Sequence, residues 1–452
     1  MSDLLSIGAS GVRAYQTALS VVGENIANVG VAGYTRRVTQ LSEVSAGVGL
    51  VERQGAGNGV VMAGVVRAGD AYATQNLRNA STDLARTETG ATWLQRIEQG
   101  LTGNELSTRL TGFFTSATAL AAEPTSSALR TGMISATQSA AIAFKATGDS
   151  FDQMAANLDE SAQLSVRTLN SLAASLVKVN DGLGRTLPNT AATAQLADQR
   201  DQILEQMSAI ADVGVSTDAL GRATVSIGGA GGPAIVKGEN QGVVSYSRTG
   251  GNAVFTVTTA GSMAPDVVSV NGGVLAGVGE AAERIAGARS ELNTLATAFV
   301  ADVNAVQVAG KDLDNADGTE LLDAPATNPT DMTLLFTEGS KIAAAKPTAT
   351  KPFSVRDGSN LADLATARVN GGYEAKLTAL INGNATAYKQ KSVIADAQTA
   401  IRNGASTALT SAAGVNIDSE ALDLMRFQQA YQASSRVIQA ARDTFQSILE
   451  IR

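Results

Sequence analysis

The chain has 452 residues and a net charge of −8, with a pI near 4.9; that length suits two to four domains with a large core. Hydrophobic residues make up 44%, which excludes wholesale disorder, and the acidic balance with scattered Lys and Arg makes nucleic acid a poor partner. Neither Cys nor His occurs, which removes disulfides, thiol nucleophiles, Ser-His and Cys-His dyads and imidazole-bound zinc. No catalytic residue, cofactor or metal site is therefore assigned. No apolar run has the length to cross a bilayer, so membrane insertion is not expected. The start, Met1-Ser-Asp-Leu-Leu-Ser-Ile-Gly8, lacks a basic region ahead of an apolar one, so no cleaved secretory signal is visible.

In chain order, the first element is a helix with an apolar seam. Leu5, Val12, Leu19 and Ile26 recur every seventh residue, and Tyr15, Val22 and Val29 stand three places after the last three. Such a repeat lays a narrow stripe along one side of a helix, and the stripe needs a partner helix. Next, Gly47, Gly49, Gly55, Gly57 and Gly59 with the β-branched Val60, Val61, Val65 and Val66 predict extended structure and turns. Helix resumes at about Asp70. The longest stretch, about 140–183, is expected to break only at Gly148 and to close at Gly184 and Pro188. Leu169, Leu172, Leu176, Val179 and Leu183 mark its inner face. A further helix over about 191–211 should turn Leu196, Ile203, Met207 and Ile210 inward.

At Val213 the composition shifts to Gly, Val, Ser and Thr. Alternation over 223–227 and 254–257, with turn signals at Gly228-Gly229 and Gly250-Gly251, predicts a small β-rich insert ending near Leu275. Helix returns over about 280–306 with Ile285, Leu292, Leu295, Phe299 and Val303 on one side. A looser segment carries Pro325, Pro329, Pro347 and Pro352, and helical patterning runs from Leu361 onward. There Leu424, Tyr431, Ile438 and Phe445 keep a second seven-residue beat, with Phe427, Ser434, Ala441 and Ile448 in its second position. The remaining faces of both terminal helices carry Ala, Ser and Gln rather than the Lys and Glu of a solvated helix. Both ends therefore read as packing surfaces, pairing with each other, with neighbouring copies, or both. Two ordinary core helices would give the same periodicity.

The expected fold is mainly α with a β-rich insert, in nested order. A terminal assembly region of long helices paired as a coiled coil, plus an extended segment, takes 1–66 and 406–452. A helical-bundle rod domain takes 67–212 and 277–405, and the β insert takes 213–276.

Motifs that imitate chemistry read as structure. Gly277-Val-Gly279-Glu-Ala-Ala282 resembles a dinucleotide turn, but Glu280 would face the phosphates and no βα units surround it, so a tight turn is expected. Asp312–Glu320 imitates a calcium loop, yet Leu313 falls where the first ligand belongs, which favours an acidic turn. Ser175-Leu-Val-Lys178 lacks the supporting elements of a Ser-x-x-Lys hydrolase, and Gly228–Pro233 reads as a hairpin tip. Asn28, Gly33, Tyr34 and Arg36 mark a helix end and turn, with Gly30 or Gly33 at positive φ and Tyr34 plugging the adjoining core. Tyr34 and Arg36 are also the residue types that dominate interfaces.

Asn25-Ile-Ala-Asn28 and Ala32-Gly-Tyr-Thr-Arg36 resemble the Asn-rich, Gly-Tyr-x-Arg signature shared by flagellar rod, hook and junction proteins. Gly57, Gly59-Val60, Val66-Arg67 and Asp70 resemble the adjoining, more C-terminal segment of the same proteins. Three later segments separate the junction proteins from the rest: Leu196-Ala-Asp-Gln-Arg-Asp-Gln-Ile-Leu204 with Met207-Ser208; Gly272-Gly273-Val-Leu-Ala-Gly277 through Leu295-Ala296 and Val303-Asn304 to Gly310-Lys-Asp-Leu313; and Gly414-Val-Asn-Ile-Asp-Ser-Glu420 through Phe427-Gln-Gln-Ala-Tyr431 to Ile448-Leu-Glu-Ile-Arg452. On these the chain resembles the flagellar hook-associated protein 1 family, the first layer of the hook–filament junction.

The resemblance implies a structural protein, not an enzyme, that is extracellular in the flagellum and exported through the flagellar secretion channel. It implies a ring-like homo-oligomer at the distal end of the hook, with hook protein below and the second hook–filament junction protein above. An export chaperone on the C-terminal helix is implied before secretion. The assembly interface is expected at Leu5, Val12, Tyr15, Leu19, Val22, Ile26, Asn28, Tyr34, Arg36, Leu424, Phe427, Tyr431, Ile438, Phe445 and Ile448. An exported chain should keep its seams loose until neighbours complete them, burying Leu19, Ile26, Leu424, Tyr431 and Ile438. The rival readings are another axial flagellar protein (hook or distal rod), a secreted adhesin or enzyme using the β insert, and an intracellular helical scaffold.

Overall fold

The computed structural model describes residues 2–44, 59–259, 261–262 and 264–450; Gly47, Gly49, Gly55 and Gly57 lie outside them. Helix α1 (Ser2–Ala27) ends where the backbone turns left-handed, with Gly30 and Gly33 both at φ 76°. Strands β1 (Arg37–Glu43) and β2 (Val60–Arg67) then pair antiparallel as an extended arm. Asp70 stops the arm and starts α2 (Ala71–Thr102), its carboxylate accepting from the Tyr72 and Ala73 amides.

Helices α3 (Leu106–Ala122) and α4 (Ser127–Arg185) come next. The helix expected from about 140 starts at Ser127, capped by Ser126, and it does not break at Gly148. A side chain at Gly148 would run into Thr330 Oγ1, so this glycine admits a crossing loop rather than ending a helix. In α5 (Ala191–Ile210) the buried residues are Ala194, Ala197, Asp198, Leu204, Met207 and Ser208. Of the four residues expected inward, Met207 is buried while Leu196, Ile203 and Ile210 are half-buried.

The β insert forms two antiparallel sheets. The first holds β3 (Val213–Thr217), β4 (Ala223–Ile227), β5 (Ala234–Lys237) and β6 (Asn240–Gln241). The second holds β7 (Val243–Thr249), β8 (Asn252–Thr258) and β9 (Asp266–Val268). Gly228-Gly229 and Gly250-Gly251 take positive φ in the two hairpin tips. Two asparagines of α4 seat the insert. Asn170 bonds both the amide and the carbonyl of Val244, and Asn180 does the same to Ala223.

Helix α6 (Gly273–Ala309) begins seven residues before Glu280, so Gly277 and Gly279 lie within it and make no turn. A Cβ on Gly277 would stand 2.6 Å from Thr89 Cβ; its lack lets α6 lie close on α2. The Pro-bearing segment crosses the core through β10 (Leu322–Asp323), β11 (Thr333–Leu334) and a 3₁₀ turn at Gly339–Lys341. The acidic loop caps itself: Asp312 accepts from the Asp314 and Ala316 amides. Helices α7 (Ser359–Gly371), α8 (Tyr373–Ala413) and α9 (Ile417–Glu450) complete the chain. The boundaries expected at 276/277 and 405/406 fall inside α6 and α8.

The body's core centres on Phe113, Phe114, Phe144, Phe299 and Tyr373, whose ring centroids stand 5.0–6.2 Å apart. Each such pair adds about 0.5–1.5 kcal/mol beyond the area it buries. Among the described residues, no helix is long and apolar enough to cross a membrane.

Candidate assembly interface

The two terminal helices find each other within one chain. They run antiparallel: Gly8 lies against Ile438, Gly11 against Ser434, Tyr15 against Phe427, and Asn25 against Glu420. Small side chains set the spacing. A Cβ on Gly8 would stand 2.6 Å from Ile438 Cγ1, and one on Gly11 2.5 Å from Ser434 Oγ. The buried stripe of α1 is Gly8, Gly11, Ala14, Ala18, Val21, Val22 and Asn25, beside the row of larger residues that the heptad picks out.

Of the residues expected at the interface, Val22 and Phe427 are buried and pack with Ala18 in a separate small core. Tyr15, Leu19, Ile26 and Leu424 lean on that core half-buried, and Val12, Tyr431 and Ile438 are half-buried too. The expected burial of Leu19, Ile26, Leu424, Tyr431 and Ile438 is thus partial in the single chain. Leu5 is 45% exposed, Phe445 58% and Ile448 48%. The last two lie where α9 overhangs the start of α1. Asn28 serves its own helix, donating from Nδ2 to Glu24 O.

Tyr34 and Arg36 meet the two helices at a polar cluster that the seams do not announce. Glu420 is fully buried and Asn25 is 1% exposed. Glu420 Oε1 accepts from Arg36 Nε at 2.6 Å, and Oε2 accepts from Asn25 Nδ2 at 2.9 Å. Asn25 Oδ1 accepts from Tyr34 Oη at 2.9 Å and from the Arg37 amide at 3.0 Å, while its Nδ2 also donates to Arg37 O at 2.8 Å. Arg36 Nη2 reaches Asp423 at 3.3 Å, and Arg37 pairs with Glu24 at 2.7 Å. Burial pushes the Tyr34 hydroxyl above its usual range, partly offset by Arg37, so it stays a donor. An exposed ion pair contributes roughly 0–1 kcal/mol, whereas a buried charge stripped of its partner costs about 3–5 kcal/mol; Glu420 belongs to the second case.

Sequence reading missed Asn25 and Glu420 as a pair, although one signal was present. Glu420 stands four residues before Leu424 on the same face of α9, and Asn25 three after Val22 on α1. A polar group in an apolar stripe needs a partner.

The family model described as the flagellar hook-associated protein FlgK helical domain matches residues 94–322, just over half of the chain. The chain belongs to the flagellar hook-associated protein 1 family. A second model, the flagellar basal body rod FlgEFG protein C-terminal, matches residues 406–451. That model covers the tail from Gly414 onward, so the tail, expected to set junction proteins apart, does not by itself separate them from rod proteins. The flagellar hook-associated protein 1 of Escherichia coli is 26% identical over the whole of both chains. That of Salmonella typhimurium is 30% identical over 71% of this chain and 59% of its own length. The solved flagellar hook junction protein FlgK of Burkholderia pseudomallei has the same fold, with a TM-score of 0.66 at 16% identity, covering 75% of this chain and all of its own. As a member of that family, the chain has a structural role in the flagellum.

In this member of the family, a second polar cluster ties the arm to the body. Arg67 on β2 lies 2.8 Å from both Asp198 and Asp201 of α5, and Arg200 joins Asp201 at 2.6 Å. Burial pushes the Asp198 carboxyl up, and Arg67 counters only part of that. Asn189 O accepts from the Val65 amide. Gln202 Nε2 donates to Ala32 O, and a side chain on Gly33 would overlap Gln202. The Gly-Tyr-x-Arg turn and the Arg-Asp helix, two segments of the family resemblance, are thus in contact.

Proposed function

We propose that this chain stacks as a ring-like homo-oligomer on the distal end of the hook, with hook protein below and the second hook–filament junction protein above. The region 1–66 with 406–452 would carry the stacking contacts, 67–212 with 277–405 the rod body, and 213–276 an outward insert. The observation that carries this reading is the one-sided closure of the α1/α9 pair. The pair covers Val22 and Phe427 but leaves Leu5, Leu422, Met425, Phe445, Ile448 and Leu449 exposed. Apolar exposure at both ends of the pair, at Leu422 and Met425 and again at Leu5, Phe445, Ile448 and Leu449, suits contact surfaces. Leu5, Phe445 and Ile448 would meet neighbouring copies, while Tyr15, Val22, Tyr34, Arg36 and Phe427 hold the pair in shape for them.

Before assembly the exposed end of α9 would be the seat of an export chaperone, and the chain would leave through the flagellar secretion channel. The role is mechanical, without catalysis. Antibody labelling of sheared hook–filament preparations tests the placement. Label confined to the boundary between hook and filament is expected. Label along the hook, at the rod, or only inside cells would contradict it.

A further inference from the structure

The α1/α9 pair joins the rest of the molecule by two routes, the arm that Arg67 and Gln202 tie to α5 and the short connection from α8 into α9. Among the described residues, α9 packs extensively on α1, and α1 otherwise on β1 and β2. The chain itself enters α9 through Gly414, Val415 and Asn416. Asn416 caps α9 by accepting from the Asp418 and Ser419 amides, but nothing in that cap fixes an angle to α8. A glycine-led elbow of this length permits a hinge.

Arg36 lies across the elbow. Its backbone amide donates to Ala413 O, the last carbonyl of α8, at 2.8 Å, and its own carbonyl accepts from Ala68 N ahead of α2. Its guanidinium meanwhile holds Glu420 and Asp423 at the start of α9. One residue therefore grips the helix on each side of the elbow. Glu420 supplies the other half, buried and shared between Arg36 and Asn25.

We infer that Arg36 and Glu420 form an angle lock that fixes the direction of the α1/α9 pair against α8 and the helical body. Rotation about 414–416 would break either the bond from the Arg36 amide to Ala413 O or the guanidinium's bonds to both carboxylates, the latter leaving the Glu420 charge buried with Asn25 alone. A guanidinium suits the task because its planar fork holds two carboxylates at once, which an ammonium on a flexible stem does less well. The lock concerns geometry within one chain. It stands or falls separately from the stacking of copies, since it is measured on the isolated protein.

The sequence contains no cysteine, so Lys389→Cys on α8 and Gln432→Cys on α9, both exposed sites, take a clean pair of spin labels in the full-length chain. Double electron–electron resonance should give a single narrow distance distribution. Adding Arg36→Ala or Glu420→Gln should abolish the single narrow peak, and Arg36→Lys should give an intermediate width. The thermal transition of the body, followed by circular dichroism, should stay in place and so separate a loosened elbow from an unfolded chain. A narrow peak retained in both Arg36→Ala and Glu420→Gln overturns the inference, and so does a broad distribution with Arg36 and Glu420 intact.

Discussion

Gly33 is the residue on which the arm's attachment turns. It sits at φ 76° with Gln202 packed where a Cβ would go, so Gly33→Ala meets both backbone strain and a clash. A loss of about 1–3 kcal/mol is expected, read as faster amide exchange in β1 and β2 with the core of α4 unchanged. Asp357 offers a pH test in the body. Burial would raise its carboxyl, but Lys351, the Ser359 amide and hydroxyl and the Lys346 amide outweigh it and hold the pKa at about 2. A depressed acid stabilises the fold above its unfolded pKa of about 4, and the contribution is lost as pH falls through the folded value. Asp357→Asn should therefore lower the melting temperature at pH 7. The gap from the natural chain should shrink between pH of about 4 and about 2. A gap that is constant with pH would contradict the assignment.

At the scale of elements, the glycines of α1 set the approach of α9. Gly8→Val would place branched carbon against Ile438, and overpacking of this kind costs about 1–3 kcal/mol. Protection from hydrogen exchange over 424–441 should fall, with no change in α2 to α8. Both terminal helices and their pairing are legible from the seven-residue beat, but the buried face is not. The beat picks out Leu5, Val12, Leu19 and Ile26, whereas a close antiparallel pair is spaced by Gly8, Gly11, Ala14 and Ala18. Small residues carry little hydropathy signal even when they set the geometry. The early start of α4 escapes for the same reason, because 127–139 is rich in Ser, Thr and Ala, and Gly148 looks like a break. Whether a glycine ends a helix or admits a neighbour depends on what crosses it, here Thr330, and that is tertiary information. Asn25 with Glu420, and Arg67 with Asp198, join residues far apart in the chain. No local pattern pairs them, although each polar residue stands on a face that demands a partner.

For the whole molecule, the nested order is legible because both ends carry matching seams and the composition changes sharply at Val213. The boundaries are less so, since α6 and α8 run through the positions where patterning fades. On the proposed reading, a body packed around Phe113, Phe144 and Phe299 would be separate in its packing from a terminal pair that would carry assembly. The body's core includes no residue of α1 or α9 among its buried members, so removing 424–452 should leave it intact. The most direct measurement expresses the chain lacking 424–452 in a strain without its own copy, with flagella viewed by electron microscopy and the purified protein melted in parallel. Hooks bare of filaments, together with an unshifted body transition, are the expected result. Normal hook–filament junctions built from the truncated chain would contradict it.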